Sequence, residues 1–430
     1  MVAGTPTPEL DFSISSPPSE EGRRALDAVR LFLVETATPM IAEFNQGRPD
    51  AAFALEPDGT MASWLAALKK AMQQASAEAG LYCPQLPRSE GGLGLGLVDC
   101  FYVQEEVFRH GLSGAQWMLA WTDGPDHLIR YWSADARQRY HEEFLAGRTN
   151  MASAVTEPAA GSDFLALDTT AKLDGDGWLL NGHKYLITGA PLAELVRVFA
   201  RIEGAEREQL TLFLLPMDTP GVKRGPAQPT IMADGNTGEI RFNDVRVERS
   251  ALIGAEHEAL DLSLLSINWI RTRRGGMCSG LARHCLDAAL AFANERRAYG
   301  RPIIELGAVG AMISDMYMDW LAMRALSLEL LTRLDTSGIF DMRVTAADTV
   351  DLAVLKTWND EALYRIADRA IQVMGGRGVL TTNALEKIFR VARNLRIPAG
   401  TSEAQRATIS QLLEANETPT SHPHDDMADA

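Results

Sequence analysis

The hydrophobic period of the chain changes twice, and these two changes limit the folds that it can adopt. From about residue 21 to 150, apolar residues recur at helical spacing, as in Trp64, Leu68 and Met72. Between 151 and 250 the pattern changes to short apolar or alternating runs separated by Gly, Asp, Asn and Pro, which is typical of strands. Long helical runs with short links then return, and such runs favour an antiparallel bundle.

These patterns predict an α+β fold with three domains and two polar ends. The expected parts are an arm over 1–20, a helical domain over 21–150, a small β-barrel domain over 151–250, an antiparallel four-helix bundle over 251–415 and a disordered tail over 416–430. The first long helix of the bundle is expected to be interrupted near Gly275 and Gly276, because glycine weakens a helix interior.

Composition and charge limit the partners and the compartment. The chain of 430 residues has a net charge of -16, which argues against nucleic acid or an anionic membrane surface as a general partner but does not exclude an anionic ligand. No apolar run approaches the roughly 18 residues of a membrane span, and the first residues have no signal-peptide pattern. The four cysteines show no metal-binding spacing, so we expect no metal site and a reducing, cytoplasmic location.

Five short motifs carry chemical information. Glycines in them allow a ligand to approach the backbone closely, and an arginine suits a phosphate because its guanidinium can donate two parallel hydrogen bonds. In chain order they are TEPAAGSD at 156–163, NGHKYLIT at 181–188, ERRAYG at 295–300, QVMGGRG at 372–378 and PAGT at 398–401. In this order the motifs resemble those of the acyl-CoA dehydrogenase family over about 150–413, with a weaker likeness from residue 21.

The resemblance implies FAD as cofactor and an assignment of cofactor-binding residues. Near the flavin ring it places Thr156, Ser162, Ile187 and Thr188. Arg296, Gln372, Gly375 and Gly376 correspond to residues that bind the dinucleotide part across a subunit interface. Thr401 and Glu403 correspond to residues along the ribityl and adenosine side. Leu186 stands where the family commonly has an aromatic residue beside the flavin.

The resemblance also identifies a departure at the catalytic base. In most of the family a glutamate precedes the Gly-Thr of the closing turn and removes the Cα proton, but here that residue is Ala399. Some relatives place the base one residue before the position of Arg271, where this chain has Ile270. The Ala399 backbone N–H is kept and is expected to bind the thioester oxygen. Arg271 and Ser162 are the expected substrate-binding residues, and Asp123 is the candidate for a relocated base.

Three hypotheses follow from this departure. The chain is a dehydrogenase of acyl-CoA thioesters with a relocated base, a flavoenzyme of other chemistry (an oxidase, a monooxygenase or a desulfinase-like enzyme), or a non-catalytic partner subunit of a heteromeric dehydrogenase. The family likeness implies a homo-oligomer, a dimer or tetramer, with electron-transferring flavoprotein as the electron acceptor. Two further arginines, Arg273 and Arg274, are expected either to assist a CoA phosphate or to be solvated.

Overall fold

The computed structural model describes residues 16–46, 54–340 and 344–414. Its order of elements is helical, then β, then helical, which confirms the predicted α+β architecture. Residues 1–15 of the predicted arm and the predicted tail 416–430 lie outside the described residues. The strands of the central sheet lie between residues 151 and 247. The domain boundaries near 150 and 250 remain predictions.

Five α-helices precede the sheet within the residues that the structure describes. They are α1 Glu20–Phe32, α2 Thr38–Asn45, α3 Ser63–Glu78, α4 Leu97–Arg109 and α5 Ala134–Leu145. Ser133 is the N-cap of α5, because its hydroxyl oxygen accepts a hydrogen bond from the Ala136 N–H at 3.1 Å. The apolar faces of α1, α3 and α4 pack together with apolar residues of later helices, so the helical segments share one core.

The central domain is one curled sheet of seven strands. These are β1 Met151–Ala154, β2 Thr170–Asp174, β3 Gly177–Thr188, β4 Leu195–Ile202, β5 Leu210–Pro216, β6 Val222–Ala227 and β7 Thr237–Val247. The strand order is β1-β4-β2-β3-β7-β6, and β5 pairs with β4. The long β3 and β7 are antiparallel, with register shifts between Leu180 and Gly182 and between Lys184 and Ile187. The second shift lies at the end of β3 that carries part of the predicted site.

In the described part of the chain after the sheet there are six α-helices, with a short β-ribbon between the second and the third. The helices are α6 Ala259–Thr272, α7 Arg274–Glu295, α8 Gly307–Ser337, α9 Ala346–Met374, α10 Ala384–Leu395 and α11 Ser402–Glu414, and the ribbon pairs β8 Arg297–Ala298 with β9 Arg301–Pro302. None of the helices in the described ranges is long and apolar enough to cross a membrane.

The predicted interruption near Gly275 and Gly276 is confirmed at Arg273, but the two glycines do not end the helix. The helix breaks at Arg273, and both glycines lie inside α7. A Cβ at Gly276 would overlap with the carbonyl oxygen of Phe101 in α4. The glycines are therefore explained by close packing of α7 against α4 rather than by the end of a helix.

Candidate active site

The loop over 156–163 is fixed to strand β3. The Tyr185 N–H donates a hydrogen bond to the Thr156 carbonyl at 2.9 Å. The Lys184 side chain is fully buried, and its Nζ lies 2.8 Å from Glu157 Oε1 and 3.0 Å from the Val155 carbonyl oxygen. Two of the motifs are therefore held together by a buried ion pair.

The Glu157 carboxylate accepts further hydrogen bonds inside the same loop. Its donors are the Thr169 hydroxyl at 2.5 Å, the Thr169 N–H at 3.0 Å and the Asp168 N–H at 2.5 Å. Burial opposes the charged form of Glu157, but Lys184 and these donors lower its pKa overall. Burial lowers the pKa of Lys184 to about 8, because desolvation outweighs the attraction of Glu157.

The end of β3 presents polar groups to solvent. Leu186 lies at the second register shift, has a left-handed φ of 56° and is 47% exposed. Ile187 is buried, so only its backbone can contact a ligand, whereas the neighbouring Thr188 is exposed. Thr156 is half-buried and Ser162 is exposed. The predicted flavin-ring residues thus provide hydroxyl groups that a ligand can reach.

The turn before α11 is tightly held. The Ser402 N–H donates to the Arg396 carbonyl at 3.0 Å, and Thr401 caps the helix by accepting a hydrogen bond from the Ala404 N–H at 3.1 Å. Ala399 has a left-handed φ of 60°, and Gly400 has a φ of 90°. A Cβ at Gly400 would overlap with the side-chain amide of Gln405, so this position requires glycine.

Arg271 lies beside this turn. Its Nε is 3.4 Å from the Ala399 carbonyl oxygen, and Gln405 Nε2 lies at 3.4 Å from the same oxygen. Burial lowers the pKa of Arg271 to about 10, and no carboxylate among the described residues forms an ion pair with it. The Ala399 N–H has no hydrogen-bond acceptor in the described part of the chain. The predicted N–H donor and the predicted substrate arginine therefore lie together.

Asp123, the predicted candidate base, is buried beside the end of β3. A Cβ added to Gly189 would lie 3.6 Å from Asp123 Cβ, and the Asp123 carbonyl accepts a hydrogen bond from the Met151 N–H at 2.8 Å. One carboxylate oxygen, Oδ2, pairs with Lys69. The other, Oδ1, has no hydrogen-bond partner among the residues described. Asp123 therefore has one oxygen that is free to accept a proton.

A second group of predicted residues forms a separate surface. Arg296 follows the end of α7, and the guanidinium of Arg377 lies 5.8 Å from the ring of Phe292 in α7, which places the glycine turn after α9 beside that end. Arg296, Gln372 and the glycines at 375 and 376 are exposed. No hydrogen bond or ion pair within 16–46, 54–340 and 344–414 joins this surface to the residues at the end of β3.

Glycine has different roles along the turn over 375–378. Gly375 ends α9 with φ 57° and ψ -138°, a conformation that favours glycine. A Cβ at Gly378 would overlap with the carbonyl oxygen of Ile371. At Gly375 and Gly376, in contrast, no heavy atom lies within 4 Å of an added Cβ, so the backbone there is open to a ligand. Glu403 is exposed in the first turn of α11.

Sequence reasoning gave no role to Lys184 and Glu157, although both lie in the motifs. One signal could have identified Lys184: it has the same parity along β3 as the buried Trp178 and Leu180, so its side chain points inward. Solvation of Arg273 and Arg274 was one of the two expected alternatives, and it is wrong because both side chains are only 3% exposed.

Comparison with family models identifies two regions of the chain. Residues 152–245 match the model described as acyl-CoA dehydrogenase, middle domain, and residues 260–413 match the model described as acyl-CoA dehydrogenase, C-terminal domain. The two matches cover nearly all of the sheet and the helices that follow it, whereas Asp123 lies outside both.

Similar proteins are found among both sequences and structures. The chain is 30% identical to cyclohex-1-ene-1-carbonyl-CoA dehydrogenase of Geobacter metallireducens, over 78% of this chain and 88% of that protein. It is also 30% identical to the mitochondrial short-chain specific acyl-CoA dehydrogenase of Homo sapiens, over 78% of this chain and 80% of that protein. The solved FAD complex of PigA has a TM-score of 0.77 and 23% identity, and covers 94% of this chain and 99% of that one.

Proposed function

The chain belongs to the acyl-CoA dehydrogenase family, and we propose that it is an FAD-dependent oxidoreductase that forms the Cα–Cβ double bond of an acyl-CoA thioester. In this proposal the proton acceptor is not residue 399. The observation that carries the proposal is the turn before α11, where the free Ala399 N–H lies beside Arg271. In this proposal the turn holds the thioester as it does in the family, although the usual carboxylate is absent.

The residues at the two surfaces fit FAD. Thr156 and Thr188 offer hydroxyl groups near the end of β3, which suits the polar edge of a flavin ring. Arg296 is exposed and forms no ion pair with a described carboxylate, and the backbone at Gly375 and Gly376 is open. A guanidinium and a glycine turn together suit a pyrophosphate. We propose that these two sets of residues hold the ring part and the dinucleotide part of FAD.

The separation of the two sets supports an oligomer. Since no described hydrogen bond or ion pair joins them within one chain, one copy would bind the ring of a flavin whose dinucleotide part contacts Arg296 of another copy. A homodimer or a homotetramer built on this contact completes each site. Electron-transferring flavoprotein is the proposed acceptor of the electrons.

The Ala399 N–H is the proposed donor to the thioester oxygen. A donor held in a rigid turn stabilises the negative charge that develops on this oxygen when the Cα proton leaves. The turn is rigid because the Ser402 N–H donates to the Arg396 carbonyl and because Gly400 is packed against Gln405. Bound FAD would accept the hydride from Cβ.

Asp123 is the proposed base. It is buried, it lies beside Gly189 at the end of β3, and its Oδ1 has no hydrogen-bond partner among the described residues. The ion pair of its other oxygen with Lys69 orients the carboxylate. A carboxylate in a dry, oriented environment is suited to remove a proton from carbon.

The test is the visible spectrum of the purified protein before and after acyl-CoA thioesters are added without oxygen. A yellow protein that bleaches supports dehydrogenation. A yellow protein that does not bleach, but turns over with oxygen or a sulfinate, supports a flavoenzyme of other chemistry. A colourless protein that gains flavin only with a second chain supports a partner subunit. Either of the last two results refutes the proposal.

The variant Ala399→Glu tests the geometry of the turn separately from the identity of the base. If the turn holds the thioester as in the family, a glutamate at this position restores a carboxylate beside Arg271 and gives faster bleaching than the parent protein. The matched control is Ala399→Gln, which has nearly the same shape without the charge. Equal rates for the two variants would contradict the proposed thioester position.

A further inference from the structure

Arg273 occupies an unusual environment for an arginine. It lies at the break between α6 and α7 and is 3% exposed. One side-chain nitrogen, Nη1, donates a hydrogen bond to the Ala120 carbonyl at 2.6 Å. Its guanidinium carbon lies 4.1 Å from the centre of the Trp121 ring and 5.4 Å from that of Trp269. The guanidinium is therefore enclosed by two aromatic rings, away from water.

The other donors of this guanidinium have no acceptor. Arg273 Nε and Nη2 are buried and have no hydrogen-bond partner among the described residues, and none of the ion pairs found there includes Arg273. The indole N–H of Trp269, one helical turn earlier, is buried and also has no acceptor. A buried cation with unused donors is unfavourable unless something outside the chain supplies the acceptor.

The charged side chains around the break between α6 and α7 do not supply a hydrogen-bond acceptor to Arg273. Near Arg273, Lys69 is paired with Asp123, whereas Arg274 and Lys356 share the single carboxylate of Asp360 at 3.4 and 3.0 Å. These residues comprise four buried cations and two buried carboxylates, namely Lys69, Arg273, Arg274, Lys356, Asp123 and Asp360. The nearby Arg197–Asp126 pair adds one charge of each sign. The interior at this place therefore has an excess of positive charge, although the whole chain has a net charge of -16.

The titration of Arg273 agrees with this excess. Burial, followed by repulsion from Arg274, lowers the pKa of Arg273 to about 9, although attraction by Asp123 acts in the opposite direction. A bound anion would favour the charged guanidinium and offset this cost. The two unused nitrogens, Nε and Nη2, lie on the same edge of the planar guanidinium. Two nitrogens on one edge can bind a carboxylate with two parallel hydrogen bonds.

We propose that Arg273 binds a carboxylate carried by the acyl group of the substrate, so that the substrate class is a dicarboxylic acyl thioester. This inference rests on the proposed function, because it places the acyl group at α6. Arg271 and Arg273 are about 3 Å apart along the helix axis but point to different sides. Arg271 contacts the turn at Ala399, and Arg273 contacts the loop at Ala120. The thioester and the carboxylate therefore lie at opposite ends of the acyl group.

The test is the affinity of the FAD-loaded protein for pairs of thioesters of equal chain length, with adipoyl-CoA against hexanoyl-CoA as the first pair. We expect the dicarboxylic member to bind about tenfold tighter or more, which corresponds to one charge-assisted contact. Arg273→Met should abolish the preference without weakening hexanoyl-CoA, and Arg273→Lys should keep part of it. The matched control is Arg333→Met, since Arg333 pairs with Asp351 on the bundle.

The variant Arg273→Met is expected to fold, because an apolar side chain of similar length replaces an unpaired buried charge. Equal affinities for the two thioesters in the parent protein, or the same preference in Arg273→Met, would overturn the inference and leave the proposed function intact. If no thioester binds, the proposed function fails, and adipate itself decides the inference. An increase in melting temperature with adipate in the parent protein but not in Arg273→Met supports the site, and no increase overturns it.

Discussion

The buried pair of Lys184 and Glu157 allows a prediction about the stability of the central sheet. In Lys184→Met the ammonium is lost, and the Glu157 carboxylate keeps only its donors from Thr169 and Asp168. The sheet then contains a buried carboxylate without a counter-ion. The side chains of Lys184 and Glu157 are 0% and 4% exposed, so water cannot replace the lost partner without a local rearrangement.

The expected cost follows from this geometry. Removing one partner of a buried ion pair typically costs about 3–5 kcal/mol. The lower half of this range is expected here, because three hydrogen bonds to Glu157 remain. Replacing both charges, in Lys184→Met/Glu157→Gln, removes the uncompensated charge, keeps an acceptor oxygen for the Thr169 and Asp168 donors, and should recover most of the loss. The sum of the single-variant losses should therefore exceed the loss in the double variant by about 2 kcal/mol or more.

The assay is urea unfolding of the four proteins at neutral pH, followed by circular dichroism and by tryptophan fluorescence. Trp178 lies on the same strand as Lys184 and is buried, so the sheet contributes one of the eight tryptophans to the fluorescence signal. A loss below about 1 kcal/mol for Lys184→Met, which is the range of exposed pairs, would refute the buried position of the pair. Additive losses in the double variant would refute the coupling.

Three further predictions concern the turn, the cofactor and pH. Gly400→Ala should lower the free energy of unfolding, measured by urea titration, by about 1–3 kcal/mol, since φ is 90° and the new Cβ overlaps with Gln405. The control is Gly161→Ala, because no heavy atom lies within 4 Å of a Cβ added there. Arg296→Leu should reduce the FAD content of the purified protein, measured by absorbance, without lowering its helical circular dichroism; unchanged FAD content would contradict the phosphate contact. The pKa of Glu157 in the folded protein is lowered from 4.5, so its contribution to stability is present above that pH and is lost as the pH falls. The parent protein should therefore lose more stability than Glu157→Gln between neutral and acidic pH. Parallel curves of the free energy of unfolding against pH would contradict this.

Much of the fold follows from local patterns, since the change to short alternating runs near residue 151 coincides with the start of the sheet at Met151. The N-cap at Ser133 is also local, because it depends on the N–H of Ala136, three residues away. The role of the two glycines beside the break at Arg273 could not be predicted in the same way. The glycines that suggested a break are needed for contact with Phe101, which is far away in the sequence.

The candidate site also contains residues that local motifs identify and residues whose role depends on contacts remote in sequence. The cofactor residues lie on short motifs, so their order along the chain was sufficient to propose them. The burial of Arg273 depends on Trp121, which is remote in sequence and contacts it only in the folded chain. Charged residues are usually exposed, and the sequence alone therefore gave no reason to place Arg273 or Arg274 in the interior.

In the proposed reaction this chain oxidises acyl-CoA thioesters with a base other than residue 399. The rate of flavin bleaching by an acyl-CoA, mixed rapidly without oxygen, tests this in the parent protein and in the Lys69→Met/Asp123→Asn variant. The paired replacement removes both charges of a buried ion pair, so neither partner of that pair is left as an uncompensated charge. We predict that the parent protein bleaches. The variant, with equal FAD content and thioester affinity, should bleach at a rate that is lower by a factor of about 100 or more. Bleaching of the variant at the parent rate would exclude Asp123 as the base, and a parent protein that retains FAD but never bleaches would contradict the proposed reaction itself.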